Sequence, residues 1–388
     1  MSDPIELSVV MPCLNEAETL GACIQKARGA IERLGIAGEV VVADNGSEDR
    51  SVEVAESHGA RVIHVEQRGY GAALAGGIEE ARGRCVIMGD ADDSYDFSSI
   101  DPFVQELQAG CELVIGNRFA GGILPGAMPL KNRWIGNPLL SLIGRVFFSC
   151  PVRDFNCGLR GVAKEAYERM DLRTTGMEFA SEMVIKASLL GMRITEVPTV
   201  LHPDGRPHRP HLRPWRDGWR HLRFMLLFSP KWLFLIPGLV LLASGILGVL
   251  WLAGGPRHLG PVTLDIHSML MAGSACLLGY QLVIFALFTK VFAVDQSLQP
   301  AGMLPNWVLK HFDRALEMGV VLGTGMALVG VAGIAWATWG WRQLGFGDLE
   351  PTETMRALIP AAILVVSGAQ TVFGGFFLGV LRLGRRSG

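Results

Sequence analysis

Asp90 and Asp92 flank a single small residue, Ala91, one glycine after the apolar run Cys85–Met88. Two carboxylates at that spacing can turn toward one hard cation. Mg²⁺ and Mn²⁺ take oxygen ligands and are commonly held by one or two carboxylates plus the phosphates of a bound nucleotide. Acids also gather in solvated turns, but a pair closing an apolar strand favours the metal. Further along, Arg118, Lys131, Arg133 and Arg145 precede Asp154. Arg offers phosphate a planar two-point contact and Lys a point charge, so these cations could surround reacting phosphates. An ordinary solvated basic surface is the alternative for any one of them.

Positioning such groups requires a scaffold, and the first 200 residues alternate apolar and helical stretches. Leu7–Met11, Glu39–Ala43, Arg61–Val65, Cys85–Met88 and Leu113–Ile115 read as strands, with helices over Glu16–Leu34, Asp49–Ser57 and Tyr70–Ala81. This alternation predicts an α/β domain on a mostly parallel sheet, whose ligands sit beyond the carboxyl ends of the strands. Pro12-Cys13-Leu14-Asn15-Glu16, Asp44-Asn45-Gly46-Ser47 and Asp90–Asp96 would then share one edge. Gly69-Tyr70-Gly71 followed by Gly76-Gly77 has the wrong spacing for a dinucleotide fingerprint. It is assigned to close packing near the nucleotide.

Of the 388 residues 49% are hydrophobic and 19% charged, too apolar for one ordinary soluble domain. The net charge of -2 excludes a globally basic nucleic-acid binder. Trp232–Gly254, Ser268–Phe288, Met318–Trp341 and Ala357–Leu381 run 21 to 25 residues without Asp, Glu, Lys or Arg, long enough for four transmembrane helices. Lys and Arg crowd the region before the first span, the second loop and the tail, which places the N-terminal domain and C-terminus in the cytoplasm. The opening MSDPIELSVVMPCLNE has neither a basic n-region nor a long apolar run, so no secretory signal is expected. Seven scattered cysteines without a CxxC pair read as reduced and mostly buried.

Between the halves, Trp215–Lys231 combines Arg216, Arg220 and Arg223 with Trp219, Leu222 and Phe224, the composition of a helix lying along the headgroup layer. Leu139–Phe148 is too short to span and is either a core helix or an element dipping into the interface to receive a lipid. The predicted organisation is a domain over 1–213, an interfacial amphipathic helix over 214–231 and a four-helix transmembrane domain over 232–388.

The ordered set PCLNE, ADNGSEDRS, GDADD, GNRF and DFNCGLRG resembles glycosyltransferase family 2, in the branch of dolichol-phosphate mannose synthase and bacterial polyprenyl-phosphate (bactoprenol) glucosyltransferases. The resemblance implies a GT-A-type, Rossmann-like domain followed by an interfacial helix and four spans. By similarity Pro12, Asn15 and Glu16 line the nucleotide pocket, Asp44 reaches the base or ribose, and Asp90 and Asp92 hold Mg²⁺ or Mn²⁺ against the donor diphosphate. Many relatives have Leu-Gln where this chain has Asp93-Ser94, which leaves a third ligand open. Asp154 matches an acid near the sugar and Arg160 the motif's terminal basic residue; the alternative has Asp154 capping a helix and Arg160 pairing with it. Arg118, Lys131 and Arg133 are expected at the acceptor phosphate, and Arg206, Arg209 and His211 on a loop closing over the donor. Glu178 would face the sugar hydroxyls. Zinc at the histidines of His202–Arg213 is set aside, since no Cys lies nearby and the prolines forbid a regular helix.

The expected activity is inverting transfer of a sugar from a nucleotide sugar, UDP-glucose ahead of GDP-mannose, to polyprenyl (undecaprenyl) phosphate at the cytosolic leaflet. A phosphomonoester is largely deprotonated at cytosolic pH, so the nucleophile needs orientation and charge neutralisation more than a strong base. Expected partners are the donor, the lipid acceptor and membrane lipids, with no nucleic acid; a homo-oligomer is compatible with all of this. A processive polysaccharide synthase would carry a QxxRW motif, absent from RPWRDGWRHLRF, and a nucleotide-sensing transporter or flippase would carry charge within its spans.

Overall fold

The computed structural model describes residues 5–205, 214–295 and 315–383. The chain divides into two compact units, Met1–Leu227 and Phe228–Gly388.

The first unit is built on a seven-stranded sheet of β1 (Leu7–Cys13), β2 (Gly38–Asp44), β3 (Arg61–His64), β4 (Cys85–Met88), β5 (Leu113–Asn117), β6 (Arg160–Ala163) and β7 (Ile194–Pro198), in the order β3-β2-β1-β4-β6-β5-β7. All neighbours are parallel except β6, which runs antiparallel to both β4 and β5. This is the mostly parallel GT-A architecture. Leu7, Val9, Val10 and Met11 of β1 are wholly buried, the mark of a strand covered on both faces. The accompanying helices are α1 (Leu20–Leu34), α2 (Ser51–Ser57), α3 (Tyr70–Glu80), α4 (Asp101–Gln108), α5 (Arg118–Gly121), α6 (Asn137–Phe148), α7 (Lys164–Met170), α8 (Phe179–Leu189) and α9 (Pro214–Leu227). In α1 the buried Leu20, Cys23, Ile24, Ala27 and Ile31 recur at helical spacing, and Gly35 ends the helix in the left-handed conformation.

The five predicted strands are present, while β6 and β7 escape the pattern. Strand β6 begins with Arg160, whose buried guanidinium donates to the carbonyls of Cys157 (2.9 Å), Phe155 (2.7 Å) and Ala180 (2.5 Å). A four-residue strand opening on a charge has no alternating signature. At the sheet edge, β7 carries Glu196 and ends in Pro198, a residue tolerated there because it has no N–H to donate.

Helix α6 has one buried and one exposed face. Ser141, Gly144 and Phe148 are buried, with the Phe155 ring filling the space a side chain at Gly144 would need. On its other face Leu139, Leu142 and Val146 are exposed, and before it Leu130 and Trp134 are 71% and 70% exposed. Trp134 lies in a π-helical turn, Asn132–Gly136. Helix α9 packs against α6 and α8.

The second unit contains α10 (Ile236–Ala253), a hairpin of β8 (Arg257–Leu259) and β9 (Val262–Leu264), α11 (Ile266–Asp295), α12 (Ala315–Gln343) and α13 (Pro351–Leu383). Lys231–Ala253, Ile266–Val294, Leu316–Gln343 and Pro351–Leu381 are long and apolar enough to cross a membrane, each enclosing most or all of a predicted span. Helices pair through glycine: a side chain at Gly323 would meet the Gly368 carbonyl at 2.5 Å, and one at Gly330 the Ala361 carbonyl at 2.6 Å. Gln370 donates to Gln281 at 2.7 Å and Tyr280 pairs with Thr371 at 2.5 Å, so neutral polar groups join α11 and α13.

Candidate active site

The carboxyl ends of β1, β2 and β4 bring three polar loops to one sheet edge. Asn15, with φ of 60°, accepts the Glu48 amide on Oδ1 (2.8 Å) and donates its own amide to Ser47 Oγ (3.0 Å), while the Glu16 amide donates to Ser51 Oγ (2.8 Å). These bonds zip the turn after β1 to the loop after β2. Pro12 ends up half-buried and Glu16 buried. Asp44 accepts the amides of Gly46 (3.2 Å) and Ser47 (3.1 Å) and lies 3.4 Å from His64 Nδ1. Burial opposes its ionisation, but the bonds from Ser47, Gly46 and His64 outweigh it and hold the carboxyl below the usual carboxylate range. Asp44 thus shapes the loop in which Asn45 and Gly46 sit.

The turn after β4 carries the acid pair. Tyr70 at the start of α3 donates its phenol to Asp90 Oδ1 at 2.8 Å, and burial together with the adjacent carboxylate pushes that phenol's pKa well up, so it remains a donor. Asp92, 8% exposed, accepts both the hydroxyl (2.6 Å) and the amide (3.1 Å) of Ser94 on Oδ1. Asp93, at φ of 61°, turns the other way and pairs with Lys26 of α1 at 2.6 Å. Of the two residues left open as a third ligand, Asp93 therefore faces a cation already present and Ser94 braces Asp92. Thr19 Oγ1 donates to the Ala91 carbonyl (2.7 Å), the His202 amide to the Ser94 carbonyl (2.9 Å) and the Gly205 amide to the Asp92 carbonyl (2.9 Å). The turn is clamped between α1 and the segment after β7.

Among the described residues no group of three or more His, Cys, Asp or Glu could hold a metal by itself. Two carboxylates on one turn fit Mg²⁺ or Mn²⁺ where a bound diphosphate completes the oxygen shell, and fit poorly a metal needing an all-protein cage.

Asp154 is held by a single arginine. It is fully buried, and the guanidinium of Arg118 grips it at both oxygens, Nε to Oδ2 and Nη2 to Oδ1, each at 2.7 Å, with the Arg118 amide adding a bond to Oδ2 at 3.1 Å. Arg118, expected at the acceptor phosphate, is 7% exposed and binds Asp154. No helix directly follows Asp154, which instead takes the first amide of α5, and Arg160 binds backbone carbonyls rather than pairing with it. Glu178, expected at the sugar hydroxyls, sits at the start of α8, ion-paired to Arg220 of α9 at 3.0 Å. Glu182, buried, takes the amides of Arg173 and Thr174 and lies 3.1 Å from Lys186. Lys131 is exposed and Arg133 half-exposed, its guanidinium over the Trp134 ring. Arg206, Arg209 and His211 lie outside the described residues.

The segment 154–158 bridges the acid turn and α6. A side chain at Gly158 would lie 2.6 Å from Asp90 Oδ2, the Phe155 amide donates to Ser141 Oγ at 3.2 Å, and Asn156 Nδ2 donates to Asn137 Oδ1 at 3.0 Å. Asn156 Oδ1 is buried with no hydrogen-bond partner among the described residues. The sequence reading missed Tyr70 and Ser94 as partners of the acid pair. Ser94 was adjacent and visible, whereas Tyr70 becomes a neighbour only through the chain's path.

Residues 8–170 match the model for glycosyl transferase family 2, and residues 287–382 that for the glycosyltransferase family 2 C-terminal transmembrane region. The low-salt glycan biosynthesis hexosyltransferase Agl6 of Haloferax volcanii is 38% identical over 376 residues, covering 97% of this chain and 89% of the relative. The chain belongs to glycosyltransferase family 2. A dolichyl-phosphate hexose transferase of the same archaeon is 30% identical to this family 2 chain over 194 residues, 50% of this chain and 81% of that one. Among solved structures, glucosyl-3-phosphoglycerate synthase of Mycobacterium tuberculosis, in complex with Mn²⁺, UDP and glucosyl-3-phosphoglycerate, superimposes with a TM-score of 0.44 at 22% identity over 57% of this chain and 78% of that one. The protein is an integral membrane glycosyltransferase.

Proposed function

We propose that this enzyme transfers a hexose, with inversion, from a nucleotide sugar to the phosphate of a polyprenyl lipid at the cytosolic face of the membrane. The observation that carries the reading is the bridge from Asp90 through Gly158 and Asn156 to α6, whose other face is apolar and exposed. A donor held at the acid turn would then lie beside a surface suited to a lipid, with Lys131, Arg133 and Arg145 available to its phosphate. Of the Haloferax relatives, the hexosyltransferase of glycan biosynthesis supports a hexose as the transferred group and the dolichyl-phosphate hexose transferase supports this acceptor class. Lys- and Arg-rich flanks favour a cytosolic catalytic unit.

A divalent cation bound by Asp90 and Asp92 would neutralise the diphosphate that leaves. The chain's own residues do the rest. Pro12, Asn15, Glu16 and the Asp44 loop receive the nucleoside, and Asn156 accepts from a sugar hydroxyl. Lys131 and Arg133 hold the acceptor phosphate, whose oxygen, already deprotonated, forms the bond to the anomeric carbon as the bond to the diphosphate breaks. With both oxygens gripped by Arg118, Asp154 acts as a positioning residue rather than a base. UDP-glucose is the first donor to try and GDP-mannose the second.

The test is transfer of radiolabel from a panel of UDP- and GDP-sugars to undecaprenyl and dolichyl phosphate in detergent micelles, with Mg²⁺, Mn²⁺ or EDTA. Label entering an acid-labile lipid from one donor, and lost with EDTA, is the expected result. Label in a growing polymer would instead establish a processive synthase, and no label on either lipid would remove polyprenyl phosphate as the acceptor.

A further inference from the structure

The Gly69-Tyr70-Gly71 motif is more than packing. Its tyrosine reaches the acid turn from a different helix, and it does so in parallel with a serine on the turn itself. The phenol donates to Asp90 Oδ1 at 2.8 Å and the Ser94 hydroxyl to Asp92 Oδ1 at 2.6 Å. We propose that Tyr70 and Ser94 are the positioning residues of the Asp90 and Asp92 pair, each hydroxyl orienting one carboxylate so that the two meet a single divalent cation. The inference rests on the metal-dependent reading above.

Three features support it. The start of α3 is seated by backbone: the Gly69 amide donates to Asn45 Oδ1 (2.8 Å) and the Ala72 amide to the Thr175 carbonyl (3.1 Å). Gly69 adopts φ of 137°, where a side chain would also collide with Thr175, and a side chain at Gly71 would lie 2.7 Å from the Thr174 carbonyl and 2.8 Å from that of Gly176. The two glycines let α3 begin in the crevice from which the phenol reaches Asp90.

The donors are also of a useful kind. A hydroxyl orients a carboxylate without cancelling its charge, whereas the ammonium of Lys26, 2.6 Å from Asp93 on the same turn, neutralises that acid. Finally, Asp90 Oδ2 lies against the bare backbone of Gly158, where any side chain would displace the carboxylate. Carboxylates that bind metal are themselves hydrogen-bonded as a rule, and removing such a partner weakens metal binding by roughly 10- to 100-fold.

The experiment measures Mn²⁺ binding to the full-length protein in micelles by the electron paramagnetic resonance of the free ion, with UDP and with GDP. Tyr70→Phe and Ser94→Ala should each weaken Mn²⁺ binding roughly tenfold, and Ser94→Thr should restore it. Nucleotide binding in EDTA should stay within about twofold of wild type, which a general loosening of the site would not allow. Wild-type affinity for Mn²⁺ in both Tyr70→Phe and Ser94→Ala overturns the inference while leaving metal dependence standing. If wild type takes up no Mn²⁺ with either nucleotide, the metal-dependent reading fails and the inference with it. Should Tyr70→Phe fail to fold, the Ser94→Ala and Ser94→Thr pair decides.

Discussion

The Asp90–Ser94 turn and the Asp154–Gly158 segment meet at Gly158, yet they hold their acids by different means: hydroxyls at Asp90 and Asp92, a buried guanidinium at Asp154. In the first region the Tyr70 and Ser94 hydroxyls each donate to one carboxylate. In the second, charge is matched by charge in the interior, where separating two such groups is costly. What differs is the donor, which for Asp90 and Asp154 comes from elsewhere in the chain.

The contrast can be broken most forcefully at Arg118. Arg118→Ala strands a fully buried carboxylate and should destabilise the catalytic unit by about 3–5 kcal/mol, read by thermal or chemical unfolding in detergent. The double change with Asp154→Ala should recover part of the loss, and simple additivity would show that the pair is not coupled. At the acid turn the effect should move from stability to turnover. Asp92→Asn is expected to lower the transfer rate by roughly 10²- to 10³-fold while leaving the metal-free melting temperature nearly unchanged.

A smaller effect is expected at the flanking cations. Lys131→Gln with Arg133→Gln should raise KM for polyprenyl phosphate by about tenfold, a little over 1 kcal/mol, and leave KM for the nucleotide sugar unaltered. Equal change in both constants would place these side chains at the donor instead. The smallest effect concerns Asp44, an acid held by amides and His64 and so intermediate between the two regions. Its folded pKa is lowered, so its contribution to stability is present above the unfolded value of about 4 and is lost as pH falls through the folded one. The stability gap between wild type and Asp44→Asn should narrow on acidification below about pH 4, as measured by urea unfolding across pH 3 to 7.

Much of this was legible in one dimension. Strand β4 spans the predicted Cys85–Met88, and β1 and β2 extend their predicted cores by a residue or two, because a strand buried on both faces must be continuously apolar. The convergence of the Asn15, Asp44 and Asp90 loops followed from parallel topology alone. The four spans were equally plain, since a bilayer demands length and apolarity before anything else. Helix α6 showed only half of itself: its apolar run was evident, but which face would be covered depended on Phe155, seated against Gly144.

Composition and local pattern determined the parallel sheet, the acid pair closing β4 and the membrane half, because each obeys a rule that operates over a few neighbouring residues. The tertiary structure assigned the duties of individual charges. Arg118 stands 36 residues from Asp154, Arg220 stands 42 from Glu178 and Tyr70 stands 20 from Asp90, and nothing in their local sequence names those partners. A charged or polar side chain is satisfied by whatever donor or acceptor the fold delivers within about 3 Å, and that delivery is settled by how whole elements pack.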